Sequence, residues 1–530
     1  MCEDRTFDFS VIISVYNREK YLNECIDSVI QQSIGFENIQ LILVNNASVD
    51  GSADICLEYQ SRYPENIVYV ELKENVGPEG GRRAGIPYIK GTLVNFLDSD
   101  DKWGLQVFEI VQKFFSKHES EIDCIACRVK AFGRSSGWHA LDYVFSNDHI
   151  VNIHDQHNQI QTRVASAFIT ADAVKATPMD TGIICNEDTL YITNIILKKG
   201  RFGVLRSAIY YYRRHDDSLM DVTNSSEFYF KEQLFNFHDR LIRESLEKYD
   251  QVIPFLQYEI MYDLQWRLLS AIPQFLTPDD IQEYVGRIQK LLMQIDDYII
   301  FEQRNIYKEH KLFCLRLKYG DEIYERFKLI SGKFLFQNLP WFTADNRSIF
   351  NYFWHGVNDD GIMRLTGEIN LPLPQNDYEI FAEDSNGNRY PLTYDEREKK
   401  KLSLGQECLT IRHFEIVMPI DNVSSINFFL RYQNAELPLY INTGKFSLLS
   451  MDPPESFSVI RGYIFSCDSS RILIEKKTRS KVRAHKRALW RGLFKRKDKC
   501  AIACRFFAAI LKKLSGKQDI RISFGNQRIV

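Results

Sequence analysis

Residues 9–16, FSVIISVY, form a continuous apolar run rich in β-branched residues, and this pattern predicts a buried strand. Asn17 and the charged residues after it end the run, and apolar residues then recur at helical spacing from Tyr21 to Ile30. The alternation continues with predicted strands at 39–44, 67–71 and 92–97 and predicted helices at 52–63 and 81–89. Strands that alternate with helices indicate a mainly parallel sheet covered by helices on both faces.

Polar clusters follow three of these predicted strands. Asn17 follows the first strand, Asn45–Asn46 the second and Asp98–Asp101 the fourth. Ligands of such sheets bind at the carboxyl ends of the strands, so we expect these clusters to be neighbours. The carboxylates in Asp98–Asp101 repel one another and need a cation or many hydrogen bonds. Mg²⁺ and Mn²⁺ bind carboxylate oxygens and share phosphate oxygens, although an isolated D-x-D sequence is often only a solvated loop.

Residues 9–103 resemble family 2 glycosyltransferases of the GT-A fold, a Rossmann-like mixed α/β sheet. The resemblance rests on four motifs in the family's order: SVIISVYNREKYLNECIDSVIQQS, LILVNNASVDGS, NVGPEGGRRAGI and FLDSDDKW. It implies a nucleotide-sugar donor whose nucleoside is held by Tyr16–Asn17 and by the turn that contains Asn46. By the same resemblance Asp98 contacts the ribose side of the donor, and Asp100 ligates Mn²⁺ or Mg²⁺.

One departure from the family concerns the base. The family usually has an Asp-Asp pair where this chain has Asn45-Asn46. An asparagine oxygen can still accept a hydrogen bond from a uracil N–H, but it carries no charge. We therefore expect a UDP-sugar, and another base remains open.

A second acidic pair, Glu187-Asp188, lies about 90 residues after the D-x-D sequence and begins a predicted helix. The family places its general base in such a pair, which implies that Asp188 is the base and that Glu187 orients it or substitutes for it. An attacking hydroxyl needs a positioned acceptor for its proton, and a carboxylate near a metal site suits that role. The alternative is an ordinary helix start at which Asn186 is the cap and the acids favour the helix dipole.

The segment YYYRRH at 210–215 resembles the family's tyrosine-arginine segment near the end of the domain. Arg213 or Arg214 is expected to bind the donor diphosphate, because a planar guanidinium makes bidentate phosphate contacts. The resemblance also suggests His215 as a metal ligand, although a lone histidine is more often structural. Three further arginines are weaker candidates: Arg82 and Arg83, after the Gly77–Gly81 loop, for phosphate, and Arg163 for orienting the acceptor.

Four regions are expected along the chain: a GT-A domain at 1–225, a helical extension at 226–335, a β-sandwich accessory domain at 340–474 and a basic tail at 475–530. The helical and β-rich regions resemble, more loosely, those of wall-teichoic-acid and capsule glycosyltransferases. This resemblance implies a polysaccharide or polyol-phosphate acceptor. The β-sandwich is expected to grip polymer, to pair subunits in a homo-oligomer or to act as a spacer.

The charge of the chain is unevenly distributed. The net charge is −3, yet residues 476–517 contain 16 Lys or Arg and one acid, Asp498. Basic residues near an anionic bilayer each contribute about 1 kcal/mol to binding. Apolar side chains lie between these charges, so we expect an interfacial helix that holds the protein at a membrane surface. Anionic glycopolymer remains an alternative ligand, and no nucleic-acid-binding motif is visible.

The start of the chain has no signal-peptide pattern, and the eleven cysteines are scattered. We therefore expect a cytoplasmic protein at the inner face of the plasma membrane. Cys124 and Cys127 lie in an apolar run and are expected to be buried free thiols. Whether the chain ends naturally or is truncated is left open.

The sequence as a whole predicts an inverting, metal-dependent glycosyltransferase that acts on teichoic acid or capsular polysaccharide. The competing hypothesis is a non-catalytic, membrane-associated scaffold that binds polymer through a decayed transferase domain. The Asn45-Asn46 departure favours the scaffold, and the retained acidic pairs favour the enzyme.

Overall fold

The computed structural model describes residues 6–179, 182–183, 186–215, 230, 234–343, 350–442, 457–467, 470–485, 522–524 and 527–529. The chain divides into two compact units. The first unit comprises Met1–Arg267 and Ile272–Asn305, and the second comprises Leu268–Ala271 and Ile306–Val530. Each unit is described by itself below.

The first unit is built around one mixed sheet. Its strands are β1 (Phe7–Val15), β2 (Ile39–Asn45), β3 (Ile67–Glu71), β4 (Gly91–Asp98), β5 (Lys102–Trp103), β6 (Cys124–Gly133), β7 (Gly137–Trp138), β8 (His149–Asn152), β9 (Ala167–Thr170) and β10 (Arg201–Arg214). Their order is β3-β2-β1-β4-β9-β6-β10-β5, with β7 beside β6 and β8 beside β10. β1 pairs in parallel with both β2 and β4, whereas β9 is antiparallel to β4 and β6. The predicted GT-A type of mixed α/β sheet is confirmed.

Helices follow the strands as expected. The helices of the described chain are α1 (Glu19–Ile30), α2 (Ser52–Arg62), α3 (Gly77–Gly85), α4 (Val107–His118), α5 (Ala171–Ala176), α6 (Glu187–Lys199), α7 (Leu234–Tyr249), α8 (Pro254–Leu269), α9 (Pro278–Leu292), α10 (Asp297–Glu302) and α11 (Lys308–Tyr319). Within the described part of the chain, none of these helices combines the length and the apolar character needed to span a bilayer.

One predicted helix begins at the wrong residue. The sequence predicted a helix at 81–89 after a glycine loop, but α3 runs from Gly77 to Gly85. Pro78 lies in the first turn, where its fixed φ favours helix formation, so the glycine-rich segment is helical despite its composition. Arg82 and Arg83 therefore lie inside a helix rather than after a loop.

Close packing of α3 against β1 brings Arg82 to the sheet edge. A Cβ atom built on Gly81 would lie 2.0 Å from Ser14 Oγ and 2.9 Å from Ser14 Cβ, so only glycine permits this approach. Under the sheet, Phe9, Trp103, Phe108, Phe168 and Tyr210 form an aromatic cluster with ring centroids 4.8–6.3 Å apart. These rings join β1, β5, α4, β9 and β10 into one core. Cys124 and Cys127 are buried free thiols, as predicted.

The second unit contains mainly antiparallel sheets. Its strands are β11 (Phe327–Ile330), β12 (Lys333–Phe336), β13 (Leu339–Thr343), β14 (Phe350–Val357), β15 (Ile362–Ile369), β16 (Tyr378–Asp384), β17 (Arg389–Pro391), β18 (Thr393–Ser403), β19 (Gln406–Pro419), β20 (Ser425–Tyr432), β21 (Ala435–Pro438), β22 (Ile441–Asn442), β23 (Phe457–Ile460), β24 (Tyr463–Cys467), β25 (Arg471–Lys476), β26 (Ile522–Phe524) and β27 (Gln527–Ile529). The two large sheets have the orders β18-β19-β15-β14-β22 and β17-β16-β20-β25-β24-β23.

These two sheets pack face to face. The ring of Phe350 on the first sheet lies 4.6 Å from that of Phe428 on the second, as a β-sandwich requires. β16 and β17 form a hairpin through the Asn386-Gly387 turn, with Gly387 at φ 84°. β15 ends at Ile369, and its side chains Met363 and Leu365 are buried.

Part of the predicted basic tail lies outside the described residues. Residues 486–521 are not among them, so the interfacial helix and its membrane attachment stay predictions from charge and composition. The proposed four-part division of the chain and a homo-oligomeric state likewise stay predictions.

Candidate active site

The acidic segment after β4 has one structural member and two that face the cleft. Asp101 is 1% exposed and accepts hydrogen bonds from Tyr210 Oη and from the Arg213 backbone N–H, both at 2.6 Å. Burial raises the pKa of Asp101 well above its usual range, and the charges of Asp98 and Asp100 raise it further. Asp101 therefore bonds the end of β10 to this segment. At this residue, hydrogen bonds offset the electrostatic repulsion within the acidic cluster.

Asp100 lies among cationic and ring nitrogens. Its Oδ2 atom is 3.0 Å from His215 Nε2 and 3.3 Å from Arg18 Nε. The Asp100 carbonyl oxygen accepts a hydrogen bond from Arg213 Nε at 2.7 Å. Tyr21 on α1 lies beside the His215 ring, with 5.3 Å between centroids. The structure therefore brings together Asp100 and His215, the two residues that the resemblance suggested as metal ligands.

The carboxylate oxygens suit Mn²⁺ or Mg²⁺ when phosphate and water oxygens complete the shell, whereas an imidazole ligand is unusual for Mg²⁺ and favours Mn²⁺ of the two. Across the described residues, no group of three or more His, Cys, Asp or Glu side chains that could hold a metal ion is found. Asp100 and His215 can thus supply two ligands, and the remainder must come from a bound diphosphate and water. Their role as metal ligands stays a prediction.

Arg82 connects the two acidic motifs. Its side chain is 8% exposed, and Nη2 donates to Asp98 Oδ1 at 2.8 Å. Nη1 of the same guanidinium donates to Asp188 Oδ1. Burial raises the pKa of Asp188, as does the charge of Asp98, while the Arg82 charge opposes that rise. One buried arginine thus brings together carboxylates that are 90 residues apart in the sequence.

Glu187 and Asp188 differ in their surroundings. Burial, and then the charge of Asp188, raise the pKa of Glu187, which favours its neutral form. Asp188 is instead paired with Arg82, which favours its ionised form. A small cavity of about 10 Å³, roughly the room for one water molecule, adjoins both acids. Its lining consists of Glu79, Arg82, Val164, Met179, Glu187, Asp188 and Tyr191.

Asn186, the residue before α6, is not a helix cap. It adopts a left-handed conformation with φ 64° and makes no side-chain cap hydrogen bond. Its Nδ2 atom donates instead to Asp263 Oδ1 on α8 at 3.0 Å. The structural alternative considered for this segment, a helix start capped by Asn186, is therefore wrong in its capping detail.

The residues predicted to hold the nucleoside shape the turns after β1 and β2. Asn17, at φ 53°, accepts a hydrogen bond from the Val49 N–H at 2.9 Å, and its own N–H donates to Ser48 Oγ at 3.2 Å. Tyr16 is 41% exposed at the end of β1. The two turns are thereby tied together at the sheet edge, as the strand-end argument predicted.

The Asn46 amide is engaged within the protein. Its Nδ2 donates to Asn75 Oδ1 at 3.1 Å and to the Gly77 carbonyl at 2.9 Å, and its Oδ1 accepts from the Val76 N–H at 3.0 Å. These bonds hold the start of α3 against the end of β2. Binding of a nucleoside by Asn46 stays a prediction.

The other predicted arginines lie in different settings. Arg83 is exposed on α3, and Arg214 is exposed with Nη1 donating to Ser135 Oγ at 3.1 Å. Arg213 is engaged with Glu24 on α1 as well as with the Asp100 backbone. The Arg163 guanidinium lies 4.4 Å from the centroid of the Tyr212 ring. Within the described structure, the buried Nε of Arg163 has no hydrogen-bond partner.

Sequence reasoning missed several residues of the site. Arg18 and Glu24 stand in the charged stretch after the first strand, where helical spacing could have placed them on the face of α1 nearest the acidic segment. Glu24 also receives a bond from Lys102 Nζ at 2.5 Å. Asp263 carried no local signal, because it lies 77 residues from its partner Asn186.

Comparison with known proteins identifies the family. The model of glycosyl transferase family 2 matches residues 10–172. The chain is 31% identical over 484 residues to the minor teichoic acid biosynthesis protein GgaB of Bacillus subtilis (strain 168), covering 89% of this chain and 53% of GgaB. It is 32% identical over 332 residues to GgaA of the same organism, also a minor teichoic acid biosynthesis protein, covering 60% of this chain and 74% of GgaA.

Among solved structures, the crystal structure of S. aureus TarS matches with a TM-score of 0.49 and 14% identity, covering 90% of this chain and 86% of TarS. The chain spans about half the length of GgaB. The GgaA match extends over most of that relative and, with the family model, settles the assignment. The chain belongs to glycosyltransferase family 2 and is related to its teichoic acid glycosyltransferases.

Proposed function

We propose that the chain transfers a sugar, with inversion at the anomeric carbon, from a UDP-sugar to a hydroxyl group of a teichoic acid or a related cell-envelope glycopolymer. The observation that carries the proposal is the position of Arg82, which contacts both Asp98 and Asp188. In this proposal Asp98, on the donor side, and Asp188, on the acceptor side, face one cleft. If Arg82 did not bring the two acidic motifs together, they could not take part in the same reaction.

Asp188 is the general base of this proposal. It accepts the proton of the acceptor hydroxyl as that oxygen attacks the anomeric carbon from the face opposite the leaving group. The ion pair with Arg82 favours the ionised form of Asp188, whereas burial and the charge of Asp188 raise the pKa of Glu187. Two adjacent acids in such different surroundings suit one base and one hydrogen-bond donor.

Asp100 and His215 would hold a divalent cation in this proposal. When bound, such a cation supplies positive charge that stabilises the departing nucleoside diphosphate. The chain's own residues add to this charge, because Arg18 lies 3.3 Å from Asp100 and Arg213 is anchored to the Asp100 backbone. In this proposal Arg213 binds the diphosphate, since its guanidinium is largely buried beside the Asp100 segment.

The proposed nucleobase of the sugar donor is uracil. A carbonyl oxygen has two lone pairs, so Asn46 Oδ1 retains one acceptor site beyond its bond from Val76. The proposed acceptor follows from the names of GgaA and GgaB and from Arg163. A buried guanidinium nitrogen without a partner in the described residues suits an anionic or hydroxyl oxygen of the acceptor.

Release of nucleoside diphosphate from a panel of UDP-, GDP- and CDP-sugars, with teichoic acid as acceptor and with Mn²⁺ or EDTA, tests the proposal. Asp188→Asn should reduce transfer by about 10³-fold or more and leave UDP binding intact. Asp100→Ala should weaken the Mn²⁺-dependent part of UDP binding. Asp54→Asn, an exposed acid on α2, is the matched control.

Full turnover by Asp188→Asn would refute the assignment of the base. Absence of transfer with every donor, together with intact binding of teichoic acid, would instead support the non-catalytic scaffold. The activity of the whole protein is part of this proposal, because the chain corresponds to about half of GgaB.

A further inference from the structure

The helix that carries the proposed base is bonded to the helical region that follows the sheet. Thr193 Oγ1 on α6 donates to Glu259 Oε1 on α8 at 2.7 Å, and Asn194 Nδ2 donates to Glu244 Oε1 on α7 at 3.1 Å. Both contacts hold the middle of α6. A third contact, between Asn186 and Asp263, holds its first turn.

The third contact lies at a strained position. Asn186 has φ 64°, a left-handed conformation that L-residues adopt at a free-energy cost, and it immediately precedes the Glu187-Asp188 pair. Its side chain makes no bond to the helix it precedes. The side-chain amide bonds outside the helix instead, to Asp263 Oδ1 at 3.0 Å.

Asp263 has a second neighbour on its other side. Its Oδ2 atom lies 3.2 Å from Nε2 of His238 on α7, which is fully buried, but the two atoms do not form a hydrogen bond. Among the described residues, the bond from Asn186 is therefore the hydrogen bond that orients this carboxylate. Neither Asp263 nor His238 lines the cavity beside Asp188, so Asn186 is the contact that links them to the acidic pair.

We propose that Asp263 is a positioning residue for sugar transfer, which acts through Asn186 to hold Asp188 against Arg82. This inference rests on the proposed function, because it assigns Asp263 a role through the proposed base. The helical region thereby becomes part of the catalytic unit, since without it the first turn of α6 loses its only described side-chain tether at Asn186. Asp263 makes no contact with the acidic segment after β4 in this scheme.

Three variants of the full chain isolate the contact. Asp263→Ala removes the acceptor, and Asn186→Gly keeps the left-handed backbone accessible while removing the donor. Asp263→Asn retains an oxygen that can accept from Asn186 and should restore most activity. Glu244→Ala is the matched control, because it removes a different carboxylate that bonds an asparagine of α6.

Steady-state transfer and hydrogen–deuterium exchange of residues 186–192 are the two readouts. Asp263→Ala and Asn186→Gly should each lower kcat at least tenfold with KM for the donor unchanged, because a small misplacement of a base is costly. The double variant should lose no more than either single variant, and neither loss should appear in an Asp188→Asn background. Glu244→Ala should retain kcat.

Exchange in the first turn of α6 should rise in Asp263→Ala and Asn186→Gly and stay near that of the unmodified protein in Asp263→Asn and Glu244→Ala. A kcat unchanged by Asp263→Ala, or an additive double variant, would overturn the inference. If the unmodified protein shows no transfer at all, the proposed function has failed. Exchange then decides the positioning role separately, and unchanged exchange in Asp263→Ala would overturn it.

Discussion

Glu259 on α8 is a buried acid whose ionisation must destabilise the folded chain. It is 1% exposed, its Oε1 accepts a bond from Thr193, and burial raises its pKa from 4.5 to about 8. The unfolded chain has this carboxyl ionised above pH 4.5, whereas the folded chain keeps it neutral up to about pH 8. The free energy of unfolding is therefore highest, as far as Glu259 determines it, below pH 4.5. It falls as the pH rises from 4.5 to 8.

The loss between pH 6 and pH 9 can be calculated from that pKa. Two pH units separate pH 6 from a pKa of about 8, and each unit corresponds to about 1.4 kcal/mol, so this group removes about 3 kcal/mol of unfolding free energy. Above pH 8 both states are ionised and the loss stops growing. Glu259→Gln retains an oxygen that can accept from Thr193 but does not titrate.

Chemical denaturation at pH 6 and pH 9, followed by tryptophan fluorescence, measures the effect. Because the chain contains two compact units, the curves are fitted as two transitions, and only that of the unit containing Glu259 is compared. Between pH 6 and pH 9 the unmodified protein should lose about 3 kcal/mol more than Glu259→Gln. Glu283→Gln, an exposed acid on α9, should leave the difference unchanged. Equal losses in Glu259→Gln and the unmodified protein would refute the reasoning.

Three further substitutions test packing and capping by thermal or chemical unfolding. Gly91→Ala should destabilise the first unit by about 1–3 kcal/mol or more, because the added Cβ would lie 2.3 Å from a backbone carbon of β1. Gly286→Ala in α9 has open space around the added Cβ and should stabilise the protein by about 0.5–1 kcal/mol. A Gly91→Ala protein more stable than Gly286→Ala would contradict this reasoning. Tyr210→Phe should cost about 1–3 kcal/mol because buried Asp101 loses a bond of 2.6 Å, and a neutral effect would mean that this bond is unimportant. Thr277→Ala should lower the free energy of unfolding by about 1 kcal/mol, because it removes a capping box at the start of α9. The same loss is expected at low and high salt, and a loss that depends on salt would contradict this explanation.

Local sequence pattern was sufficient for the elements that form the sheet edge. The strand predicted at 67–71 is β3 to the residue, and the strand predicted at 92–97 is β4 without its end residues. The strand-end argument then brought Asn17, Asn46 and Asp98 to one edge, because parallel strands end together. These features depend on residues close in sequence. The spacing of apolar residues and the positions of polar residues are therefore sufficient to predict them.

The contacts that give the site its charge balance depend on packing between distant segments. Arg82 was expected to bind phosphate, yet it is buried between Asp98 and Asp188, which no residue pattern indicates. The bond between Asn186 and Asp263 is a similar case, since it depends on how α8 packs on α6. Asp101 was grouped with its neighbours by composition, and only the position of β10 distinguishes it as structural.

Strand order also has a consequence for the growing chain on the ribosome. β3, β2, β1 and β4 all lie within the first 98 residues, whereas β5 pairs, among the described strands, with β10, which ends at Arg214. Asp101 must likewise wait for Tyr210 and the Arg213 amide before its carboxylate is satisfied. More than a hundred further residues must be translated after Asp98 before β10 is complete. We therefore expect the acidic edge of the sheet to reach its final contacts late in the synthesis of the first unit.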